Sequence, residues 1–297
     1  MNNNKFVIVS DSCCDLGKEL REEFGISYIP MTVASDKFSM KATLDWENMS
    51  AKDYYDVMRG GERVYTSQVT PDEYRAFFEE CVKNGQDILS ISCSSALSAS
   101  IKASYVVRDE LCEKYPDRKI ICIDSLISGG GLGMLCVYAS RLRAEGKDIS
   151  EVASAVEQLK MKLNQAGTVD ELKYLKMSGR ISAGKAFFGT LMGVKPLIVS
   201  NVKGENVSTV KARGRLKSIR LLVDDVTSNY VGDTISEIFI SHADCLEEAE
   251  NLKSSILEKL PNVKIIMGYL NPIMGASCGP NTLVVYYNGK EKPNTDE

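Results

Sequence analysis

Hydroxyl side chains gather in two short turns, Thr66-Ser67-Gln68 and Ser94-Ser95-Ala-Leu97-Ser98, and each stands just ahead of a helix-length segment. Ser and Thr hydroxyls beside the unpaired N–H groups of a helix start cradle an anion such as a carboxylate or phosphate. Taken alone, the serine-rich segment is equally a helix cap with no ligand. The second turn shifts the balance. If both turns follow parallel strands, they emerge at the same edge of a sheet, where open α/β folds bind their ligands.

Three other patterns invite chemistry. Gly179-(x4)-Gly184-Lys185 has the spacing of a nucleotide phosphate loop, but Ala186 stands where a Ser or Thr must ligate magnesium. Val169 to Lys176 also lacks the β-branched run of a strand leading into such a loop. Ser128-Gly129-Gly130-Gly131-Leu-Gly133 opens a helix but has Met134 in place of the third glycine of a dinucleotide fingerprint. Close backbone packing accounts for these glycines. His242, at a strand end, has the residue type of a hydrolase base, yet no Gly-x-Ser-x-Gly elbow supplies the nucleophile.

Composition narrows the class. The 297 residues suffice for two domains, and a formal charge of -4 argues against a nucleic-acid partner. The basic run Lys211-Ala-Arg213-Gly-Arg215-Leu-Lys217-Ser-Ile-Arg220 reads as a solvated helix start or a contact for an acidic protein. Nine cysteines with no Cys-x-x-Cys pair, and a single histidine, imply neither a disulfide framework nor a metal site. Cys13-Cys14, after Asp11-Ser12, reads as packing, with a reactive thiol as the alternative. The N-terminus lacks a signal peptide and no apolar run reaches membrane-span length, so a cytoplasmic protein is expected.

Certain elements must position the two turns. Phe6-Val-Ile-Val9, Ile88-Leu-Ser-Ile91 and Ile120-Ile-Cys-Ile123 are strand-length apolar runs, each followed by a helical pattern, which predicts parallel strands with crossover helices. Thr70-Pro71-Asp72-Glu73 is a capping box with proline at the first helical position. Beyond residue 160 the order becomes mixed: strand 196–199, a hairpin turn at Lys203-Gly204, strands at 235–240 and 263–267 flanking a helix from Cys245 to Leu260, and a last strand ending at Val285. The expected division is 1–160 for an α/β domain carrying the hydroxyl turns, 161–290 for a second α/β domain, and 291–297 for a frayed tail.

With Val9-Ser10-Asp11-Ser12, Lys211-Ala-Arg213, Leu172-Lys-Tyr-Leu175-Lys-Met-Ser-Gly179-Arg180-Ile181 and Gly275-Ala-Ser277-Cys-Gly279-Pro280 added, the two turns resemble the DegV family of bacterial, FakB-type fatty-acid-binding proteins over residues 9 to 287. The resemblance implies a two-domain α/β fold that buries a long-chain fatty acid in a tunnel. It implies a non-catalytic, cofactor-free lipid carrier that presents the ligand's carboxylate to a separate fatty acid kinase, related to dihydroxyacetone kinase, for acyl-phosphate formation. Transient membrane-surface contact is compatible with that role.

Carried over position by position, Thr66, Ser67, Ser94 and Ser95 bind the carboxylate, and Arg180 contacts the incoming phosphoryl group or pairs with a carboxylate between domains. Ala186 to Val194, with Phe187, Phe188, Leu191 and Met192, supplies tunnel wall or plain core. Two departures stand out: Ser277 replaces the family histidine, and Asn281 replaces a glycine. Serine gives at most a neutral hydrogen bond, about 1 kcal/mol against about 1.5–3 for a charged one. The acyl chain, at about 0.8 kcal/mol per buried methylene, should still dominate affinity. The competing expectation is an enzyme or binding protein for a small carbonyl or phosphorylated compound at the same site; the likeness of DegV folds to the dihydroxyacetone kinase substrate domain implies His242 as the residue that would hold a carbonyl covalently.

Overall fold

A computed structural model describes residues 6–182 and 193–294. Four apolar runs form a wholly parallel sheet: β1 (Phe6–Asp11), β2 (Ile26–Ile29), β6 (Asp87–Ser92) and β7 (Ile120–Asp124), in the order β2-β1-β6-β7. Central strands covered on both faces need apolar residues at nearly every position, and β1 and β6 are buried along almost their whole length. Over this sheet α3 (Pro71–Lys83) pairs with α4 (Ser100–Lys114), and α5 (Gly129–Ala144) with α6 (Ile149–Leu159). The capping box at Thr70 is present: Thr70 Oγ1 accepts from Glu73 N at 3.3 Å and Glu73 Oε2 accepts from Thr70 N at 2.8 Å.

The chain after residue 162 builds a six-stranded mixed sheet from β8 (Leu163–Thr168), β9 (Val194–Ser200), β10 (Asn206–Arg213), β11 (Ile238–His242), β12 (Ile265–Tyr269) and β13 (Leu283–Asn288). Their order is β10-β9-β8-β13-β11-β12, with β11 and β12 parallel and the other pairs antiparallel. One core packs α8 (Arg215–Asn229) and α9 (Leu246–Lys259) against this sheet through Leu222, Val226, Leu252 and Ile256. On the other side α5 lies between the two sheets, touching β1 and β6 of the first and β11 and β13 of the second. That closeness explains the glycine run: a Cβ at Gly130 would fall 2.5 Å from the Phe239 ring and 2.8 Å from that of Tyr286.

Sequence reading missed a small antiparallel sheet, β4-β3-β5, made of β3 (Thr32–Ala34), β4 (Ser39–Lys41) and β5 (Tyr65–Ser67). Its strands are three residues long, too short for a period-two pattern to register. Of the tail expected to fray, residues 291–294 are described, and they are held in place. Lys292 N donates to Met161 O at 3.0 Å, Val202 N donates to Pro293 O at 3.2 Å, and Lys292 is 4% exposed. A lysine-rich, proline-containing segment carries no sequence signal for such docking, because the partners are backbone groups of distant residues.

Candidate functional site

A cavity of about 460 Å³ opens where the parallel sheet, the small sheet and two short helices meet. Thr66, Ser67, Ser95, Arg180 and Ser277 all line it. The route by which they meet differs from the sequence expectation. Thr66 and Ser67 lie on β5, paired antiparallel with Val33 and Thr32, and not beyond a strand of the parallel sheet. Only the Ser94–Ser95 turn follows a parallel strand, β6. Nor does that turn form a helix N-terminus: α4 begins at Ser100, and Ala99 at its cap makes no side-chain cap. The helix start is delayed because Ser94 closes a tight turn of its own, with Leu97 N and Ser98 N both donating to its carbonyl at 2.9 Å.

Ser95 is exposed to the cavity, and its backbone N–H is fixed by Asp124 Oδ1 at 3.1 Å. Ser94 behaves differently. Its hydroxyl is fully buried, donates to Gly204 O at 2.8 Å and accepts from Ala96 N at 3.3 Å, and the residue is not among those lining the cavity. Ser94 therefore ties the turn to the β9–β10 hairpin and leaves the cavity-facing hydroxyl to Ser95. Gly204, with φ 76°, is the residue that can approach so closely, since a Cβ there would run into Ser94 Oγ and Leu126.

Arg180 follows α7 (Leu172–Ser178), which Gly179 ends in a left-handed conformation at φ 66°. A helix thus precedes Gly179 where a phosphate loop requires a strand. Arg180 is exposed at the rim, donating from Nη1 to Ser178 O at 2.5 Å and from Nε to Leu97 O at 3.4 Å. No carboxylate pairs with it among the described residues. Ser277 lies on α10 (Pro272–Cys278), where its hydroxyl donates to Ile273 O one turn back at 3.3 Å. It offers a ligand an acceptor, with its own proton already engaged. Phe187, Phe188, Leu191 and Met192 lie outside the described residues.

The inner wall brings together Cys13, Met31, Cys93, Leu97, Leu175, Ile273, Met274 and Cys278. These are apolar or sulfur-bearing side chains that adapt to a flexible ligand. The Cys13 thiol is pushed well up by its neighbour Cys93 and by burial, and burial pushes Cys278 up to about 12, so both stay protonated. Behind this wall Asp11 accepts from Cys13 N at 3.0 Å and Cys93 N at 2.9 Å, joining the ends of β1 and β6 under the cavity. Burial raises its carboxyl to about 6.

One site residue escaped sequence reasoning. Ser128 stands at the N-cap position of α5 without a side-chain cap bond; it is 2% exposed, lines the cavity, and its hydroxyl has no hydrogen-bond partner among the described residues. Buried hydroxyls are nearly always satisfied, so an orphan in a cavity wall marks a place for a ligand atom or water. The signal available was the serine ahead of the glycine run, overshadowed by the glycines. His242 is packed as a structural residue would be: it is 3% exposed, its ring lies tilted against that of Tyr269 with centroids 4.6 Å apart, and its Nδ1 accepts from Cys245 N at 3.4 Å. It is not among the residues lining the cavity, and burial lowers its pKa.

No cluster of three or more His, Cys, Asp or Glu among the described residues is arranged to hold a metal. No described helix is long and apolar enough to cross a membrane.

Fold and cavity define a mixed α/β protein with two main sheets and a hydroxyl-rimmed, apolar-walled cavity. Within that class, the chain belongs to the DegV family: the family model described as "Uncharacterised protein, DegV family" matches residues 5–290. A DegV domain-containing protein of Clostridium perfringens is 38% identical over 97% of this chain and 99% of its own, and one of Streptococcus pyogenes is 32% identical over 96% and 98%. Among solved structures, DegV of Bacillus subtilis, described as a fatty acid binding protein, aligns with TM-score 0.81 at 25% identity over 96% of this chain and 99% of that one. A fatty-acid-binding DegV protein of Thermus thermophilus matches in fold, with TM-score 0.84 at 24% identity over 96% and 99%.

Proposed function

We propose that this protein binds a long-chain fatty acid in the cavity and presents its carboxylate to a separate fatty acid kinase, performing no chemistry of its own. One observation carries the reading: the hydroxyls of Thr66, Ser67 and Ser95, brought from two sheets to one rim, have no protein hydrogen-bond partner among the described residues, and they stand beside Arg180 over an apolar wall. A carboxylate satisfies free hydroxyls, and an alkyl chain satisfies Met31, Leu97, Leu175, Ile273 and Met274. Arg180, unpaired with any carboxylate among the described residues, is the cation available to an incoming phosphoryl group. The B. subtilis relative's described fatty acid binding supports the same assignment.

In this reading residues 1–160 form the unit that carries the headgroup turns and 161–290 the unit that walls the chain. Support comes from the strands themselves: those of the parallel sheet end at Asp124, and those of the mixed sheet begin at Leu163. The proposed location is the cytoplasm, where a kinase and its nucleotide are at hand. His242 and its surroundings offer nothing to the small-carbonyl alternative.

Native mass spectrometry of the purified protein, followed by denaturing extraction, tests the assignment. One fatty acid per chain, released on unfolding, is the expected result. A protein that stays empty after incubation with saturated and unsaturated fatty acids overturns it.

A further inference from the structure

The chain continues past β13 as a strap. Gly289 N donates to Lys162 O at 2.9 Å, Lys290 N to Asn229 O at 3.1 Å and Lys292 N to Met161 O at 3.0 Å, before Pro293 O accepts from Val202 N at 3.2 Å. The side chain of Lys292 turns inward, 4% exposed, and Nζ donates to Leu126 O at 2.6 Å. Leu126 holds φ 52°, a left-handed conformation that L side chains of this kind rarely adopt. Two bonds fix it there: Lys292 on its carbonyl and Asp124 Oδ1 on its N–H at 3.1 Å.

The headgroup turn is built on this same knot. Asp124 Oδ1 also accepts from Ser95 N at 3.1 Å, Ser94 N donates to Ile127 O at 3.0 Å, and Ser94 Oγ donates to Gly204 O at 2.8 Å. A displacement of Leu126 is therefore handed to Ser95 through the two bonds that share Asp124 Oδ1, and to Ser94 through the carbonyl of the adjoining Ile127. The charged groups facing Lys292 are Lys160, at the C-cap of α6, and Asp124 at the end of β7. Lys160 Nζ donates to Asp124 O at 3.0 Å and pairs with Glu157 at 2.6 Å, so the Lys292 head has no carboxylate partner among the described residues.

We propose that Lys292 is a positioning residue for the headgroup site: from the C-terminal strap it locks the Leu126 turn, and so aims Ser95 at the ligand carboxylate without touching it. The inference rests on the reading of the cavity as a carboxylate site. Burial first, and then the charge of Lys160, bring the Lys292 ammonium down to about 7. A bound anion favours the protonated form, and by linkage the protonated form favours the anion. Ligand affinity then falls as pH rises through about 7, a window above the titration of Asp11 and Asp15 near 6.

The test uses the full chain as wild type, Lys292→Met and Lys292→Arg. Palmitate affinity is measured from about pH 6.5 to 8.5, and amide hydrogen exchange is followed at Ser94 and Ser95. Losing a bond from a charged donor should weaken palmitate roughly tenfold in K292M at the low end of the range. Its affinity should then be flat with pH, while wild type declines severalfold and K292R, always charged, retains affinity at both ends. Exchange at Ser94 and Ser95 should quicken at least about tenfold in K292M. A folded K292M with wild-type affinity, pH profile and exchange overturns the proposal. Should K292M not fold, K292R showing the wild-type decline with pH overturns it as well. If wild type binds no palmitate, the carboxylate reading fails, and unchanged exchange in K292M then sinks the positioning role separately.

Discussion

Asn281 donates its side-chain amide to Asp170 Oδ2 at 3.2 Å, from a backbone held in the left-handed region at φ 59°. Asparagine is among the few side chains that tolerate this conformation, which is how it stands where the family resemblance leads one to expect glycine. It adds what glycine cannot: Oδ1 accepts from Arg59 Nη2 at 3.2 Å, and Asp170 is itself paired with Lys195. One side chain thus joins α2 (Ala51–Arg59) to the turn after β8, beside the loop that leads out of α10.

Asn281→Ala should cost about 1–2 kcal/mol of stability, because it loses both the bonds and the tolerance of positive φ. Asn281→Gly should cost less, since the conformation is kept. Urea unfolding midpoints of the two variants check the order, and an alanine variant as stable as glycine contradicts it.

Ser277→His should tighten carboxylate binding. The serine proton is engaged with Ile273 O, whereas an imidazolium adds a charged donor at the same wall, worth roughly 0.5–2 kcal/mol more than a neutral bond. Isothermal titration with palmitate at two pH values should show a several-fold gain at pH 6 that shrinks by pH 8, as histidine loses its charge.

Ser95→Ala should weaken fatty-acid loading about five- to tenfold while leaving the thermal midpoint within a degree or two, since its hydroxyl makes no bond within the protein among the described residues. Ser94→Ala should behave in the opposite way. Its buried hydroxyl holds Gly204 O, so stability falls by about 1–3 kcal/mol and ligand affinity follows only indirectly. Differential scanning calorimetry beside a displacement assay separates the two.

Asp15, just after β1, is tied to the mixed sheet and to α10: Oδ2 accepts from Ser241 Oγ at 2.6 Å, and Oδ1 accepts from Asn271 N at 2.8 Å and Nδ2 at 2.5 Å. Burial outweighs these bonds and raises its carboxyl from 3.8 to about 6. The folded state therefore holds a proton that the unfolded state has released between about pH 4 and 6. Its stability contribution is complete below the unfolded value and is lost as pH rises through about 6. A carboxyl-carbon NMR titration should place its midpoint near 6, and a midpoint below 4.5 would refute the burial argument.

Much of the molecule was legible in the order of its residues. Apolar runs at 6–9, 88–91 and 120–123 became parallel strands because a strand covered on both faces must be apolar along its length, a local property that composition records. The Thr70 box started α3 where its side chains dictate. Hydroxyls at Thr66, Ser67 and Ser95, with Arg180 and Ser277, were recognisable as binding candidates by residue type and by resemblance. What the sequence could not decide was which hydroxyl faces the cavity. Ser94 and Ser95 are neighbours of one type, yet Gly204, 110 positions away from Ser94, claims the first and leaves the second free. Ser128, left without a partner, and Lys292, drawn into the core from an apparently polar tail, were decided in the same way. Such roles depend on what distant backbone arrives beside a side chain, and hydrogen-bond partners over such separations are fixed only once the sheets pack across α5.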